Sequence, residues 1–530
     1  MKILTAAQMG EVDRLTTERF RIPSIILMEN AGRRCAEELV RACPGLGGKR
    51  IAIVCGRGNN GGDGFVVARH LALGGAHPEI FLCARPESLR GDALTNFQIA
   101  EAMKLPIHVL PDADAVAARF TGNGAPRADV IVDALFGTGL SKPIGADFLP
   151  VLNWIEHAAP HAFVMAVDIP SGLMADSPEI PGPAVHADLT VTFSALKPAH
   201  VLYPAAARAG EVVLASIGSP DALYDNPGYR WNLIDEEQVR RILPPRSRSA
   251  HKGAFGHVYV AAGSSGKSGA AFMAAMAALR AGAGLVTLWL PEGLRQSVAG
   301  KFPELMTEFL PETPEGTIGE SGMDELLPRL SLADALVLGP GMTTHPATQA
   351  FIKEMVHCSP VPVVLDADGL NSFALTAEPF ENENGQPIIL TPHPGEMARL
   401  CGKSVPDVQR RRVETALTCA ARHKCLVVLK GSQTLVATPD GELFINTTGN
   451  PGMATGGTGD ILAGMVGRFV AAWRLGGAEC DRRTLPGYLA AAVYLHGLCG
   501  DIAAQEGSEE SLVATDLLTY LPKAFRKVSK

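Results

Sequence analysis

The stretch Asn446–Met465 reads NTTGNPGMATGGTGDILAGM, and it sets the fold class of the half of the chain that carries it. A loop dense in glycine runs into an apolar-periodic helix expected to begin near Gly457. Unpaired N–H groups at such a helix start, with no side chains crowding them, form a nest for an anion. Asp460 stands beside that nest. Phosphoryl transfer asks for this arrangement, because amides hold the moving phosphoryl while a carboxylate accepts the proton of the attacking hydroxyl. Reading Asp460 as a mere helix cap leaves the many small residues around it unexplained.

Outward from that loop, short apolar runs alternate with helical stretches. Strands are expected at His257–Ala262, Leu285–Leu290, Ala335–Leu338, Val363–Asp366, Ile388–Thr391 and Leu426–Leu429. The first half repeats the pattern at Ile51–Cys55, Ile80–Cys83, Val130–Asp133, Phe163–Asp168 and Leu189–Phe193. Runs apolar on both faces indicate parallel sheets covered by helices, so the fold class is α/β with two doubly wound domains. A turn-rich stretch between Gly218 and Pro245 marks the boundary, giving domains at 1–220 and 241–530 with a linker at 221–240.

With 47 basic and 55 acidic residues and no basic run, the chain lacks the electrostatics of a nucleic-acid partner. The 47% hydrophobic content suits well-buried domains rather than disorder. Ten cysteines without CxxC pairs or zinc spacing read as reduced, mostly buried thiols of a cytoplasmic protein. Thr5 and Gln8 fit a capping box, so the start reads as a helix and not a signal peptide. Gly269–Leu290 is apolar, but Arg280 and a Gly-Ala-Gly break make it a buried helix followed by a core strand and not a membrane span.

In the first half, strand IAIVC leads into GRGNNGGDGF, and glycines 56, 58 and 61 satisfy GxGxxG between strand and helix. A dehydrogenase would also want an acidic residue ending the second strand, where this chain has Cys83-Ala84-Arg85. Polar residues decorate three strand ends: Asn59, Asn60 and Asp63; Asp133 with the loop Gly137–Pro143; and Asp168 with Ser171. Open α/β sheets bind ligands at such a crevice. Asp168 is the candidate acid/base, and Lys197 is expected nearby.

LMENAG (27–32), NNGGDG (59–64), VDALFGTG (132–139) and DIPSG (168–172) resemble the epimerase of hydrated NADH and NADPH, over roughly residues 1–218. The resemblance implies that Asn60, Asp133 and Ser171 help hold K+. It further implies that Asn59, Asn60, Gly61, Gly62 and Asp63 contact the hydrated cofactor, as do Gly137, Thr138, Gly139, Leu140, Ser141, Lys142, Pro143 and Asp168. Oxygen-rich groups are what a hard cation prefers.

The Asn446–Met465 signature is shared with ribokinase-like small-molecule kinases. With VLGPGM (337–342), LDADGLN (365–371), TPHPGEMARL (391–400) and KGSQT (430–434) it resembles the ADP-dependent dehydratase of the S hydrates, over roughly residues 240–525. Ala270, Gly341, His393 and Asp460 are thereby implied to contact the hydrate, and Lys430, Gly431, Ser432, Gln433, Thr434 and Gly459 to hold ADP, with Mg2+ assisting. Asp460 would be the catalytic base, and His393 is read equally well as structural. Asp366 and Asp368 are read as caps of the next helix in preference to an indirect approach to the metal, and His496 as a satisfied helix residue. AAGSSGKSG (261–269) nearly matches a P-loop, but Ala261 occupies the first glycine position.

The chain thus resembles a fused epimerase–dehydratase whose partners are hydrated NADH and NADPH, ADP and further copies of itself in a homo-oligomer, with no nucleic acid and no membrane. The alternatives are a ribokinase-like small-molecule kinase with an accessory N-terminal nucleotide-binding domain, a non-catalytic nucleotide sensor, and a dehydrogenase.

Overall fold

A computed structural model of the chain describes residues 1–122, 125–158, 161–243, 246–298, 301–374, 380–476 and 481–529. Pro245, at the end of the expected boundary stretch, lies outside them. The chain forms two compact units, Lys2–Tyr229 and Arg230–Lys530 with Met1. The stretch 221–240 contains a short turn at Asp221–Leu223, a strand at Trp231–Leu233 and the start of the helix Glu236–Ile242.

The first unit holds β1 (Lys2–Ile3), β2 (Ile51–Cys55), β3 (Pro78–Leu82), β4 (Ile107–Val109), β5 (Val130–Ala134), β6 (Phe163–Val167), β7 (Leu189–Phe193) and β8 (Glu211–Ala215). Its sheet runs β4-β3-β2-β5-β6-β7-β8 with every pairing parallel. Ile51, Ile53 and Cys55 enter one apolar cluster and Ala52 and Val54 the other, so both faces of β2 are buried. The strand order reverses between β2 and β5, whose following loops diverge and open a crevice.

The second unit adds β9 (Trp231–Leu233), β10 (His257–Ala261), β11 (Leu285–Pro291), β12 (Met306–Leu310), β13 (Ala335–Leu338), β14 (Val363–Leu365), β15 (Ile388–Leu390), β16 (Leu426–Leu429), β17 (Leu435–Ala437) and β18 (Leu443–Ile445). Their order is β9-β18-β17-β16-β15-β14-β13-β10-β11-β12, parallel except where β17 meets β16 and β18. The neighbours β10, β13, β14, β15 and β16 all point one way, so the loops after them gather at one edge.

The central strands lie where the apolar runs placed them. The runs did not reveal β4, β8 and β12, which are partly exposed along most of their length, nor β1, β9, β17 and β18, which are only two or three residues long. The Gly269–Leu290 segment folds as the helix Ser268–Arg280 followed by β11. No helix among the described residues is long and apolar enough to cross a membrane. Thr5 and Gln8 form the reciprocal capping box, Gln8 N–H to Thr5 Oγ1 at 3.2 Å and Thr5 N–H to Gln8 Oε1 at 2.9 Å.

The helix Thr458–Arg474 crosses Ser268–Arg280 so closely that a Cβ on Gly464 would sit 1.9 Å from the Ala274 carbonyl oxygen. Gly464→Ala is therefore expected to force the helices apart and destabilise the unit by about 1–3 kcal/mol. Gly10→Ala, on an exposed helix with open space around it, is expected to be neutral or stabilising by up to about 1 kcal/mol. Calorimetric melting of the two variants checks this, with only Gly464→Ala lowering a transition.

Candidate functional site

In the first unit the loop after β2 enters the helix Asn59–Leu73. A Cβ on Gly56 would meet the Leu135 carbonyl oxygen at 2.0 Å, and one on Gly61 the Gly56 carbonyl oxygen at 1.9 Å. Only glycine allows the loops after β2 and β5 to touch. A cavity of about 790 Å³ opens there, lined by Asn59, Asn60, Asp63, Gly137–Lys142, Asp168 and Lys197 among others. Gly61, Gly62 and Pro143 are not on its wall; Gly61 and Gly62 are buried in the first turn of the helix.

Asp133 ends β5, fully buried. Its oxygens accept from the Ser171 hydroxyl at 2.6 Å, the Ser171 N–H at 2.8 Å and the Leu135 N–H at 3.3 Å. Burial still pushes this carboxyl up to about 6, with no cation among the described residues to offset it. The Asn60 amide nitrogen is buried without a partner among the described residues. Asn60 lies against Gly137, whose added Cβ would be 3.0 Å from Asn60 Oδ1. Carboxylate, hydroxyl and a reversible amide together form an oxygen-rich set that fits a hard cation such as K+.

Asp168 sits at φ 63° directly after β6, a strained left-handed position for a residue with a side chain. Its Oδ1 accepts from Lys197 Nζ and Thr192 Oγ1, each at 2.8 Å, and its carbonyl accepts from His200 Nε2 at 2.8 Å. Burial alone would raise this carboxyl, but the Lys197 ammonium outweighs it and holds Asp168 below its ordinary value. Burial and Lys197 lower His200 to about 4, leaving it a neutral donor.

Asp13, on the N-terminal helix Ala6–Phe20, also lines the cavity and escaped the sequence reading. Its Oδ1 is buried and unpartnered among the described residues. Burial lifts it to about 6, against the pull of Lys197 and with the push of Asp168. Asp63 is raised further by burial and by Asp168 and Asp13. Asp168 and Asp13 thus share one lysine, and Asp63 is pushed up by both of them.

In the second unit the helix Thr458–Arg474 starts after Gly457, at φ 98°, a left-handed conformation that favours glycine. The Ile461 N–H reaches the Gly457 carbonyl at 3.1 Å, so the N–H groups of 458–460 have no acceptor within the helix. Burial, with Asp366 and Asp368 nearby, pushes Asp460 up to about 6 despite Lys430.

Lys430 follows β16 and meets Asp366 Oδ1 at 2.5 Å, while Thr391 Oγ1 donates to the same oxygen at 2.8 Å. A Cβ on Gly459 would be 3.1 Å from Lys430 Nζ, which puts the lysine at the helix start. Asp366 is consequently no helix cap; it is the buried counter-ion of Lys430. Asp368 does not cap by its side chain either, since its carboxylate accepts from the Thr343 N–H at 2.9 Å. The pattern of short polar residues before a helix could not distinguish these roles.

His393 caps the helix Pro394–Cys401, its Nδ1 accepting from the Gly395 N–H at 2.9 Å, and remains half exposed. Gly341, at φ 67°, lies against Ala270, whose Cβ would be 3.2 Å from a Cβ added there. In Gly431–Thr434 the Thr434 hydroxyl donates to the Gly431 carbonyl at 3.1 Å, Ser432 is exposed and Gln433 takes φ 55°. Arg412, unsuspected from sequence, shapes this loop by donating to the carbonyls of Leu429, Lys430 and Gln433 at 3.3–3.4 Å. His496 is buried with Nε2 2.9 Å from the Thr458 carbonyl, a satisfied helix residue. The near-P-loop is spent on structure, with Ser264 Oγ on the Gly341 carbonyl at 2.7 Å and Lys267 Nζ 3.5 Å from Asp368.

Fold and sites define a two-unit α/β protein, with a polar strand-end cavity in one unit and an anion-accepting helix start with a carboxylate in the other. The family described as NAD(P)H-hydrate dehydratase matches residues 258–523, and that described as YjeF-related protein N-terminus matches 24–199. The bifunctional NAD(P)H-hydrate repair enzyme Nnr of Moorella thermoacetica is 43% identical, covering 100% of this chain and 98% of its own length. That of Thermofilum pendens is 37% identical, covering 99% and 96%. The chain belongs to this family of bifunctional NAD(P)H-hydrate repair enzymes. Among solved structures, the ADP/ATP-dependent NAD(P)H-hydrate dehydratase of Bacillus subtilis, co-crystallised with ATP and Mg2+, is 31% identical with a TM-score of 0.47, over 56% of this chain and 98% of its own.

Lys197→Met would leave Asp168 buried without its cation and is expected to destabilise the first unit by about 3–5 kcal/mol. The double variant Lys197→Met/Asp168→Asn is expected to lose less than the sum, and a double-mutant cycle of melting midpoints measures the difference.

Proposed function

We propose that the chain repairs hydrated NADH and NADPH by epimerising the R and S hydrates in the first unit and dehydrating the S form with ADP in the second. The observation carrying this reading is Asp460 at an open helix start, beside a buried Lys430–Asp366 pair. Hydroxide is a poor leaving group and phosphate a good one. Asp460 takes the C6 hydroxyl proton as that oxygen attacks the terminal phosphorus of ADP, and AMP departs. The C6–O bond then breaks with loss of phosphate, and loss of the C5 proton restores the dihydropyridine ring.

The N–H groups of 458–460 offer hydrogen bonds to the phosphoryl, and Lys430 adds charge. Gly459 and the loop Lys430–Thr434 form the nucleotide side, and Ala270, Gly341 and His393 the hydrate side. Asp366 and Asp368 are hard oxygen donors that suit Mg2+, which when bound would neutralise phosphate charge.

In the first unit Asn59, Asn60, Asp63 and the loop Gly137–Lys142 form the hydrate pocket. Asn60, Asp133 and Ser171 would hold K+, which when bound supplies the positive charge that buried Asp133 lacks. Lys197 pulls on both Asp168 and Asp13, the first held ionised and the second still raised by burial. Such a split suits proton exchange at C6, with Asp168 as carboxylate and Asp13 able to carry the proton near neutrality.

Supplied with a mixed pool of NADH hydrates, ADP and Mg2+, the chain is expected to restore all the nicotinamide absorbance. Asp168→Asn should stop recovery once the S form is consumed. Asp460→Asn should lose on the order of 10²–10⁴ in dehydration rate while still binding ADP. Recovery confined to S with the wild-type chain would sink the epimerase half. A stable phosphorylated product from hydroxymethylpyrimidine or a sugar would favour the kinase reading instead.

Asp460 acts as a base and must be ionised, so dehydration kcat/KM should fall as pH drops through about 6. The fall should approach roughly tenfold per pH unit. A pH profile flat down to pH 5 would contradict the assignment.

A further inference from the structure

At the C-terminal end of the helix Pro346–Cys358, His357 and Cys358 face Glu383. One nitrogen, one sulfur and one oxygen of these residues all lie within 4.8 Å of one another. His357 Nε2 is 3.9 Å from Glu383 Oε2, and Cys358 Sγ is 3.0 Å from Glu354 Oε1, one helical turn back. From these contacts we propose that His357, Cys358, Glu383 and Glu354 form a binding site for one thiophilic divalent cation of the zinc class.

The donor set argues for that class. Imidazole, thiolate and carboxylate together are zinc ligands, whereas Mg2+ and Ca2+ take oxygen alone. A tetrahedral zinc site places its ligand atoms about 3.3–3.7 Å apart, so His357, Cys358 and Glu383 need side-chain adjustment of roughly 1–1.5 Å, and Glu354 turns in from its contact with Cys358 Sγ.

The backbone beneath the donors is already fixed. Asn382 Nδ2 donates to the carbonyls of Val356 at 2.8 Å and Ser359 at 3.0 Å, and Asn384 Nδ2 to that of Cys358 at 2.9 Å. The Glu383 N–H itself reaches the His357 carbonyl at 3.0 Å. The loop bearing Glu383 is thus tied onto the helix end that bears the other three donors. A helix C-terminus is also the negative end of the macrodipole and favours a cation.

The site is separate from the reaction crevice. The helix is 13 residues long, so its end lies about 20 Å along the axis from the start that follows the Gly341 loop.

The test is Co2+ titration of the reduced full chain, with excess Mg2+ to fill oxygen-only sites. One equivalent is expected to give a thiolate-to-cobalt charge-transfer band that Zn2+ abolishes by displacement. Cys358→Ser should remove the band while hydrate turnover and melting stay at wild-type values. His357→Ala and Glu383→Gln should each weaken Co2+ binding by roughly tenfold or more, and His251→Ala should not. Absence of the band at stoichiometric Co2+ would overturn the proposal. So would a band that survives Cys358→Ser, since the ligand would then be another thiol such as the partly exposed Cys401.

Discussion

The contact between the helices Thr458–Arg474 and Ser268–Arg280 governs the chemistry of the second unit. Their backbones meet at Gly464 and Ala274, with no room for a Cβ. That contact lies one turn beyond Asp460, so it fixes the axial position of the helix start as well as its direction. Gly457 then takes a left-handed turn that lets the glycine-rich loop arrive without a side chain over the open N–H groups. Moved outward by even one side-chain thickness, the helix would take its anion-accepting end away from Lys430, which a Cβ on Gly459 would almost touch.

Both units solve one electrostatic problem in the same way. Each brings several carboxylates to the ends of wholly buried parallel strands, where charge is costly. In each, one buried lysine pairs tightly with one aspartate: Lys197 with Asp168, Lys430 with Asp366. Burial outweighs the available positive charge at several of the others: Asp13 and Asp133 in the first unit and Asp460 in the second rise to about 6. A carboxyl titrating there can both take and return a proton near neutral pH. In the second unit the paired aspartate anchors the lysine and Asp460 is left to exchange the proton; in the first, Asp168 is held as a carboxylate beside Asp13.

This division explains what the sequence could reveal. Central strands were legible because both of their faces are buried and the apolar run is unbroken; edge strands such as β4 and β12 break the run with exposed positions. Glycine-rich turns were legible because close backbone approach leaves no substitute, as at Gly56 and Gly61. Asp460 could be singled out because its loop is so unusual. Asp13 could not, since an aspartate on an amphipathic N-terminal helix looks like any solvated residue until the fold turns it into the cavity. Asp366 was misread as a cap for a related reason: its partner Lys430 is remote in sequence, and nothing local indicates that the two strand ends are neighbours. Arg412 was invisible because it acts on carbonyl groups, which carry no residue identity.

The two chemistries also belong together by their energetics. Exchange at C6 in the proposed epimerase is reversible and needs only a proton carrier and a pocket, which is what the first unit offers. Water loss in the proposed dehydratase is driven by consuming a phosphoanhydride, and for that the second unit has an open helix start with Asp460 and Lys430 beside it. A reversible step feeding an irreversible one empties the whole pool, because removal of S continually draws R across. Neither step alone would do so: epimerisation would leave the damage in place, and dehydration would strand one epimer. Carrying both on one chain holds their ratio at one to one, so neither hydrate accumulates for want of the other activity.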